Sequence, residues 1–306
     1  MYLMRRADRV SRGLAKVPNF PLESHRRFLL CQQAASGGFH GRDGDGDLYY
    51  TGFAVRALAV TGGLPEDPAR LLSGFLRDQN PLSLSAVDLL SWLYSAIVVE
   101  SVIGGSVLTG RSENFAADVV SGLQQLRTAD GGFSRTSEGA VGSTYQSFMC
   151  ALVHELLGQR IPRRNALVQF LYDRQREDGG FVEIAPMKRS GTNPTAAATA
   201  LLTSLDAMDD DIAADVLGFL TDVVSSEGGF QANTRVPFAD GLSTFTGLLT
   251  AQDLGRRDLL PAEQVLSYVR GALELESGGF RGASWDQQAD VEYTFYGLGI
   301  LGLLYS

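Results

Sequence analysis

The tripeptide Gly-Gly-Phe occurs five times in this chain of 306 residues, at nearly regular intervals. The copies are Gly37-Gly38-Phe39, Gly131-Gly132-Phe133, Gly179-Gly180-Phe181, Gly228-Gly229-Phe230 and Gly278-Gly279-Phe280. They begin 94, 48, 49 and 50 residues apart, so the first interval holds two periods and one unit, around residues 66–110, lacks the tripeptide. Repeats of this length are typical of helical units that bury their apolar faces against each other. The sequence therefore predicts six units.

Each unit contains two helical patterns. An amphipathic segment such as residues 24–33 precedes the glycines, and a more apolar segment such as residues 49–61 follows after a polar loop of about ten residues. We expect the double glycine to end the first helix, because glycine adopts the left-handed C-cap conformation without penalty.

The apolar second helices predict a closed ring. They lack a wide polar face, so they belong to an inner layer that the first helices shield from water. The final segment, residues 296–305, is almost wholly apolar and must be covered, which closure against the first unit would achieve. The predicted fold is all-α, an (α/α)6 toroid formed by residues 22–306 as a single domain.

Residues 1–21 form a separate basic amphipathic segment. Residues 1–28 hold seven basic and two acidic residues, although the whole chain has a net charge of −9. An apolar stripe runs along the segment through Leu3, Ala7, Val10 and Leu14. Two interpretations stay open: residues 1–16 contact an anionic membrane surface, or the segment packs against the outside of the ring.

Charge and targeting signals narrow the function classes. The acidic balance and the absence of a long basic run exclude a nucleic-acid partner. The N-terminus lacks the apolar core of a secretory signal, so we expect a cytoplasmic protein, membrane-associated if residues 1–16 bind lipid. Two cysteines are too few for a disulfide framework.

The start of the second helix carries a further motif, Asp-x-x-Tyr-Thr. Clear copies are Asp47–Thr51 and Asp290–Thr294, and Asp240–Thr244 is a looser one. With the Gly-Gly-Phe repeat, this pattern resembles that of protein prenyltransferase β subunits and squalene/terpenoid cyclases, over residues 22–304. The chain is closer in length to the β subunits. The resemblance implies an isoprenoid or lipid ligand in a central cavity, and it leaves open a partner subunit of the α type.

This sequence does not retain the complete zinc site of the β subunits. That family holds zinc with an Asp and a Cys two residues apart and a His on the next inner helix. Asp240 matches the Asp, but Leu242 and Tyr293 occupy the other two positions. One carboxylate cannot hold zinc, so we expect no zinc and assign no metal ligands. The run Asp43–Asp47 imitates half a calcium loop and leaves open a weak Mg²⁺ or Ca²⁺ site.

Several residues are candidates for the site. The candidates for catalysis, at the openings of neighbouring inner helices, are Asp240, Asp290, Glu292 and Tyr293. Carboxylates gathered there can act as general acids or hold a magnesium diphosphate, and helix capping is their alternative role. The candidates for substrate binding are the aromatic residues Tyr49, Trp92, Tyr145 and Phe295 and the basic residues Arg42, Arg135 and Arg235. Core packing and salt bridges are the alternatives for these two groups.

Three functions agree with these residues. The leading hypothesis is a prenyltransferase-like enzyme that binds an isoprenoid diphosphate or related lipid and transfers it without zinc. A terpenoid cyclase that uses Glu292 or Asp240 as its acid is the second. A non-catalytic toroid that binds a lipid or a protein is the third.

Overall fold

The computed structural model of the chain describes residues 2–105, 107–109 and 111–306. The helices are α1 (Tyr2–Leu14), α2 (Leu22–Cys31), α3 (Leu48–Val60), α4 (Glu66–Arg77), α5 (Ala86–Ile103), α6 (Phe115–Gln124), α7 (Thr144–Leu156), α8 (Arg164–Tyr172), α9 (Thr192–Ser204), α10 (Asp210–Asp222), α11 (Gly241–Asp253), α12 (Ala262–Tyr268) and α13 (Val291–Leu304). A 3₁₀ turn, Pro81–Ser83, precedes α5, and a π-helical segment, Val269–Leu273, continues α12.

Six helices form a closed inner ring. In ring order they are α3, α5, α7, α9, α11 and α13; each contacts the next, and α13 contacts α3. Helices α2, α4, α6, α8, α10 and α12 form the outer layer. Helix α5 is long and apolar enough to cross a membrane by length and composition, but 10 of its 18 residues are buried in the ring. The predicted (α/α)6 toroid is confirmed.

The Gly-Gly-Phe tripeptides form tight hairpins, so the prediction that they end the outer helices is wrong. Helix α8, for example, ends at Tyr172, seven residues before Gly179. Gln175 and Phe181 then pair as an isolated β-bridge across the turn, where Gly179 has a φ of +82°. The outer helices therefore end earlier than expected, and the glycines form the following turn.

Each hairpin is fixed to its own inner helix and to the next unit. The phenylalanine is fully buried, and its N–H donates to a hydroxyl on the inner helix, as Phe181 does to Thr195 Oγ1 at 2.8 Å. A Cβ on Gly179 would lie 2.3 Å from the carbonyl oxygen of Asp215 in the next outer helix. The same contact joins Gly278 of the last unit to Ser24 in α2, which closes the ring.

Helix α1 packs across the ring instead of along its outside. It contacts α13 and α3 on one side and α7 on the opposite side. Its apolar stripe is used there, with Val10 and Leu14 buried. Arg6 and Arg9 pair with Asp253, the last residue of α11. The segment therefore covers the C-terminal ends of the inner helices, a position that neither sequence-based interpretation described.

Candidate functional site

The N-terminal ends of the inner helices meet at the opposite end of the ring, which we call the mouth. Loops of neighbouring units bind the helix starts there, as in the bond from Thr192 N–H to the Ala232 carbonyl at 2.9 Å. The space enclosed by the six inner helices is called the lumen. Side chains at the first turns of these helices therefore converge on the mouth of the lumen.

Asp240 and Asp290 cap inner helices at the mouth. Asp240 accepts bonds from the backbone N–H and the hydroxyl of Ser243, at 2.7 and 2.8 Å. Asp290 accepts a bond from the Tyr293 N–H at 2.9 Å. Burial raises the pKa of both carboxyls, and their capping bonds oppose the rise. Both residues therefore take the capping role that the sequence offered as an alternative to catalysis.

Arg42 joins the first and last units at the mouth. Its guanidinium pairs with Asp286, donates to the Gln288 carbonyl at 3.1 Å and lies 3.5 Å from the Asp290 carboxylate. A guanidinium held by two carboxylates has few donors left for a diphosphate. Arg42 therefore contributes to ring closure.

Glu292 is the acidic group that faces other lumen side chains. Tyr296 Oη lies 3.3 Å from Glu292 Oε1 and donates to it. Burial raises the pKa of Glu292, and hydrogen bonds from Tyr49 and Tyr296 oppose this rise. Among the described residues, no basic side chain forms an ion pair with Glu292. This environment favours the protonated form of the Glu292 carboxyl group more than water does.

Tyr293 lies beside the capping aspartates. Its ring stands against Gly282, where a Cβ would lie 2.6 Å from the Tyr293 ring. Burial, followed by the charges of Glu292 and Asp290, raises the pKa of Tyr293 to about 12. The structure thus brings Asp240, Asp290, Glu292 and Tyr293 to the same part of the mouth.

Aromatic rings from three inner helices pack below this acidic group. Phe295 of α13 lies 5.7 Å from Phe53 of α3 and 5.5 Å from Phe245 of α11, measured between ring centroids. Tyr296 contacts Phe53 and Phe245 at 5.5 and 5.6 Å, and Tyr49 contacts Phe53 at 5.1 Å. These packed rings, called the aromatic wall below, lie on the side of the ring formed by α3, α11 and α13.

Tyr145 comes from α7, opposite α13 in the ring. Burial raises the pKa of its hydroxyl; Arg56 opposes the rise and Glu292 adds to it. Arg56 of α3 and Glu292 of α13 therefore act electrostatically on Tyr145 of α7, across the lumen. Tyr145 is also 39% exposed, so it reaches from the lumen to the outside of the mouth.

Three other candidates lie elsewhere. Trp92 is fully buried between the layers, where its Nε1–H donates to the Leu76 carbonyl at 2.8 Å, so its predicted place in the cavity wall is corrected. Arg135 and Arg235 are exposed on the loops of their units. Neither lies in the group around Glu292.

The three positions that match the zinc ligands of the β subunits hold Asp240, Leu242 and Tyr293, which do not form a zinc-binding set. The Asp240 carboxylate is used in capping α11, and Leu242 and Tyr293 offer no thiolate or imidazole. Within residues 2–105, 107–109 and 111–306, no three His, Cys, Asp or Glu side chains are grouped to hold a metal. In the acidic run, Asp45 accepts bonds from Ser36 and Gly46, and Asp47 caps α3.

Sequence reasoning missed Arg56, which lies in the middle of α3. It is the one charged residue in an otherwise apolar helix, and this contrast could have identified it from the sequence. Its guanidinium carbon lies 5.4 Å from the Phe53 ring centroid and 5.6 Å from that of Tyr94.

The sequence model of the prenyltransferase alpha-alpha toroid domain matches residues 14–85 and 69–306. The chain belongs to the prenyltransferase alpha-alpha toroid family. No curated protein sequence matches it.

Solved structures share the fold at low sequence identity. Candida albicans protein geranylgeranyltransferase-I complexed with GGPP has a TM-score of 0.72 and 15% identity, over 93% of this chain and 91% of that one. A single-residue variant of the type II terpene cyclase MstE from Scytonema, in complex with geranylgeranyl dihydroxybenzoate, has a TM-score of 0.62 and 13% identity, over 99% and 98%. The GH76A α-1,6-mannanase from Salegentibacter sp. HEL1_6 has a TM-score of 0.61 and 11% identity, over 92% and 97%. These likenesses establish the fold alone.

Proposed function

We propose that the protein binds an isoprenoid diphosphate or a related lipid in its lumen. The observation that carries this proposal is the aromatic wall of Phe53, Phe245, Phe295 and Tyr296. Ring faces offer apolar area to a prenyl chain and stabilise cationic carbon. Support comes from two structural neighbours in the same fold, which are complexes with GGPP and with geranylgeranyl dihydroxybenzoate.

The proposed chemistry is prenyl transfer that does not use zinc. As the allylic C–O bond breaks, its electron pair leaves with the diphosphate, which takes the Glu292 proton. A nucleophile of the acceptor then bonds to the allylic carbon, and its proton returns to the Glu292 carboxylate. The half-buried carboxyl, which accepts hydrogen bonds from Tyr49 and Tyr296, suits this exchange because its raised pKa favours the protonated form and its oxygens accept hydrogen bonds after the proton is lost.

Terpenoid cyclisation is the second candidate, and the same carboxyl favours it. Glu292 would add its proton to an alkene carbon, and the neighbouring carbon would become the cation that an internal alkene attacks. Loss of a proton from the last cation to the Glu292 carboxylate would restore the acid. A lumen that binds lipid without reacting is the third candidate.

Calorimetric titration with farnesyl and geranylgeranyl diphosphate tests binding. We expect F295A to weaken binding by roughly 10-fold, because it removes a ring from the wall. L71A removes an apolar side chain that is 57% exposed on outer helix α4, so its affinity should match that of the wild type. Failure of both diphosphates to bind the wild type would contradict the proposal.

Product analysis separates the three candidates. The protein is incubated with geranylgeranyl diphosphate, alone or with a thiol acceptor, and with squalene. A prenylated acceptor indicates transfer, and a cyclised hydrocarbon indicates a cyclase. Either product should disappear in E292Q and persist in E66Q, which alters an exposed glutamate on α4. Binding with unchanged substrates would identify a non-catalytic toroid.

Two further proposals concern the surroundings of the protein. A protein partner subunit is proposed from the family resemblance, and a cytoplasmic location is proposed as well. Membrane contact through residues 1–16 would have to use the exposed Met4 and the basic side chains near it, because the apolar stripe is packed in the ring.

A further inference from the structure

Arg56 lies on the lumen side of α3. Tyr49, Phe53 and Arg56 are spaced four and three residues apart, so they share one face of the helix. The opposite face, which includes Ala54 and Leu58, is fully buried under the outer layer. Arg56 is eight residues from the first residue of the helix, about 12 Å along the axis from the mouth.

The guanidinium of Arg56 has no counterion in the part of the chain that the structure describes. Among the described residues, no carboxylate lies within ion-pair distance of it, and its Nε is buried without a hydrogen-bond partner. Its contacts are the ring faces of Phe53 and Tyr94. Arg56 as a whole is half-buried, so its charge is partly removed from water without a carboxylate partner to compensate for the lost hydration.

Three tyrosine hydroxyls also lie within the electrostatic influence of the guanidinium. Arg56 acts electrostatically on Tyr94, Tyr145 and Tyr296, and these belong to three different inner helices. Burial raises the pKa of each of these hydroxyls, and the Tyr296 hydroxyl already donates its hydrogen to Glu292. Arg56 thus provides a positive charge near the hydroxyls of Tyr94 and Tyr145, and a guanidinium with hydroxyl donors near it suits an oxyanion.

We propose that Arg56 is the centre of an oxyanion-binding subsite inside the lumen. The subsite takes a carboxylate or a phosphate group carried on an apolar chain of isoprenoid size. This inference rests on the proposed lipid binding and specifies the ligand further. It places the acidic group of the ligand at the Arg56 guanidinium, on the lumen side of α3 and near the Tyr94 ring.

Three ligands with one chain separate the subsite from the lumen as a whole. Farnesol is neutral, farnesoic acid carries a carboxylate and farnesyl monophosphate carries a phosphate. Calorimetric titration of the wild type should show one or both anions binding about 10- to 100-fold more tightly than farnesol, as expected for charge-assisted hydrogen bonds. The anion with the larger ratio identifies the head group.

The variant Arg56→Met retains the length of the side chain and removes its charge. It should bind all three ligands within about 2-fold of one another, with the farnesol affinity of the wild type unchanged. Arg56→Lys should restore part of the preference. Arg70→Met, at an exposed arginine of outer helix α4, should keep the wild-type ratio. The subsite proposal is overturned if Arg56→Met keeps the wild-type ratio of anion affinity to farnesol affinity. It is also overturned if the wild-type protein prefers neither anion over farnesol.

A second measurement tests the subsite if farnesol fails to bind, which would count against lipid binding itself. Inorganic pyrophosphate should raise the melting temperature of the wild type and leave that of Arg56→Met unchanged. Without added anion, Arg56→Met should melt at the same or a higher temperature, because it removes an unpaired charge. Equal shifts with pyrophosphate, or a melting temperature lowered by several degrees, would instead assign Arg56 to the packing of the ring.

Discussion

A carboxyl group buried beside tyrosines keeps its proton to a higher pH than an exposed carboxyl. Glu292 is such a group at the mouth of the lumen, next to Tyr49 and Tyr296. Its usefulness as an acid depends on this environment. The capping aspartates Asp240 and Asp290 share the burial, but their oxygens are occupied by the helix N–H groups.

The pH dependence of stability tests this environment. Burial raises the pKa of Glu292 above its ordinary value of 4.5, so the folded state retains a proton that the unfolded state releases. The stabilisation from Glu292 is complete below pH 4.5 and is lost as the pH rises through the folded-state pKa. The melting temperature of the wild type relative to E292Q should therefore fall as the pH rises above 4.5. A difference that does not change with pH would contradict a raised pKa.

The hydroxyls under the hairpins give a second test at this scale. Replacing Thr195 by Val removes the acceptor of the buried Phe181 N–H, which should cost about 1–3 kcal/mol of unfolding free energy. The variant T203V makes the same change at an exposed position of α9 and should cost much less. Urea unfolding measures both. Equal losses would mean that the hydroxyl does not stabilise the hairpin.

At the scale of elements, the first glycine of the tripeptide lets neighbouring units approach. Gly179 combines a φ of +82° with a carbonyl oxygen 2.3 Å from where its Cβ would lie. Changing Gly179 to Ala should lower the unfolding free energy by several kcal/mol, because both backbone and neighbour must shift. The variant G218A, at an exposed helical glycine of α10 with open space around it, should instead raise stability by about 0.5–1 kcal/mol. Thermal unfolding measures the stability change of both variants. A G179A variant as stable as the wild type would show that the close contact at Gly179 does not hold the units together.

Helix α1 is the element whose role the structure defines best. A Cβ on Gly13 would lie 1.8 Å from the carbonyl oxygen of Gly302, so α1 and α13 touch through their backbones. G13A should displace α1 and speed amide hydrogen exchange in the last turn of α13. The same change at Gly122, exposed in α6, should leave that exchange unchanged. Unchanged exchange in G13A would show that α1 does not cover this end.

The sequence allowed prediction of the elements to different degrees. The repeat of Gly-Gly-Phe and the apolar character of the second helices predicted the ring, because both follow from local patterns. The place of Trp92 could not be predicted, since both faces of an inner helix are apolar and the pattern does not distinguish the lumen from the outer layer. The place of α1 depended on tertiary contacts with Asp253 and Gly302 that no local pattern records.

At the scale of the whole molecule, the ring has two different ends. Helix α1 covers the end formed by the helix C-termini, and the loops after Gly-Gly-Phe form the mouth. The first and last units are joined by Arg42 with Asp286 and by His25, which lies 3.1 Å from Glu274. The candidate site was predicted in part: the acids at the mouth were identified from the sequence, whereas Arg56 was recognised only from its position in the ring, where it lies over the Tyr94 ring of α5.

A crystal structure of the protein grown with farnesyl diphosphate tests the central claim most directly. Density for the prenyl chain should lie against Phe53, Phe245 and Phe295, between Glu292 at the mouth and α1 at the closed end. Ligand bound elsewhere, with aromatic side chains filling the lumen, would contradict the account.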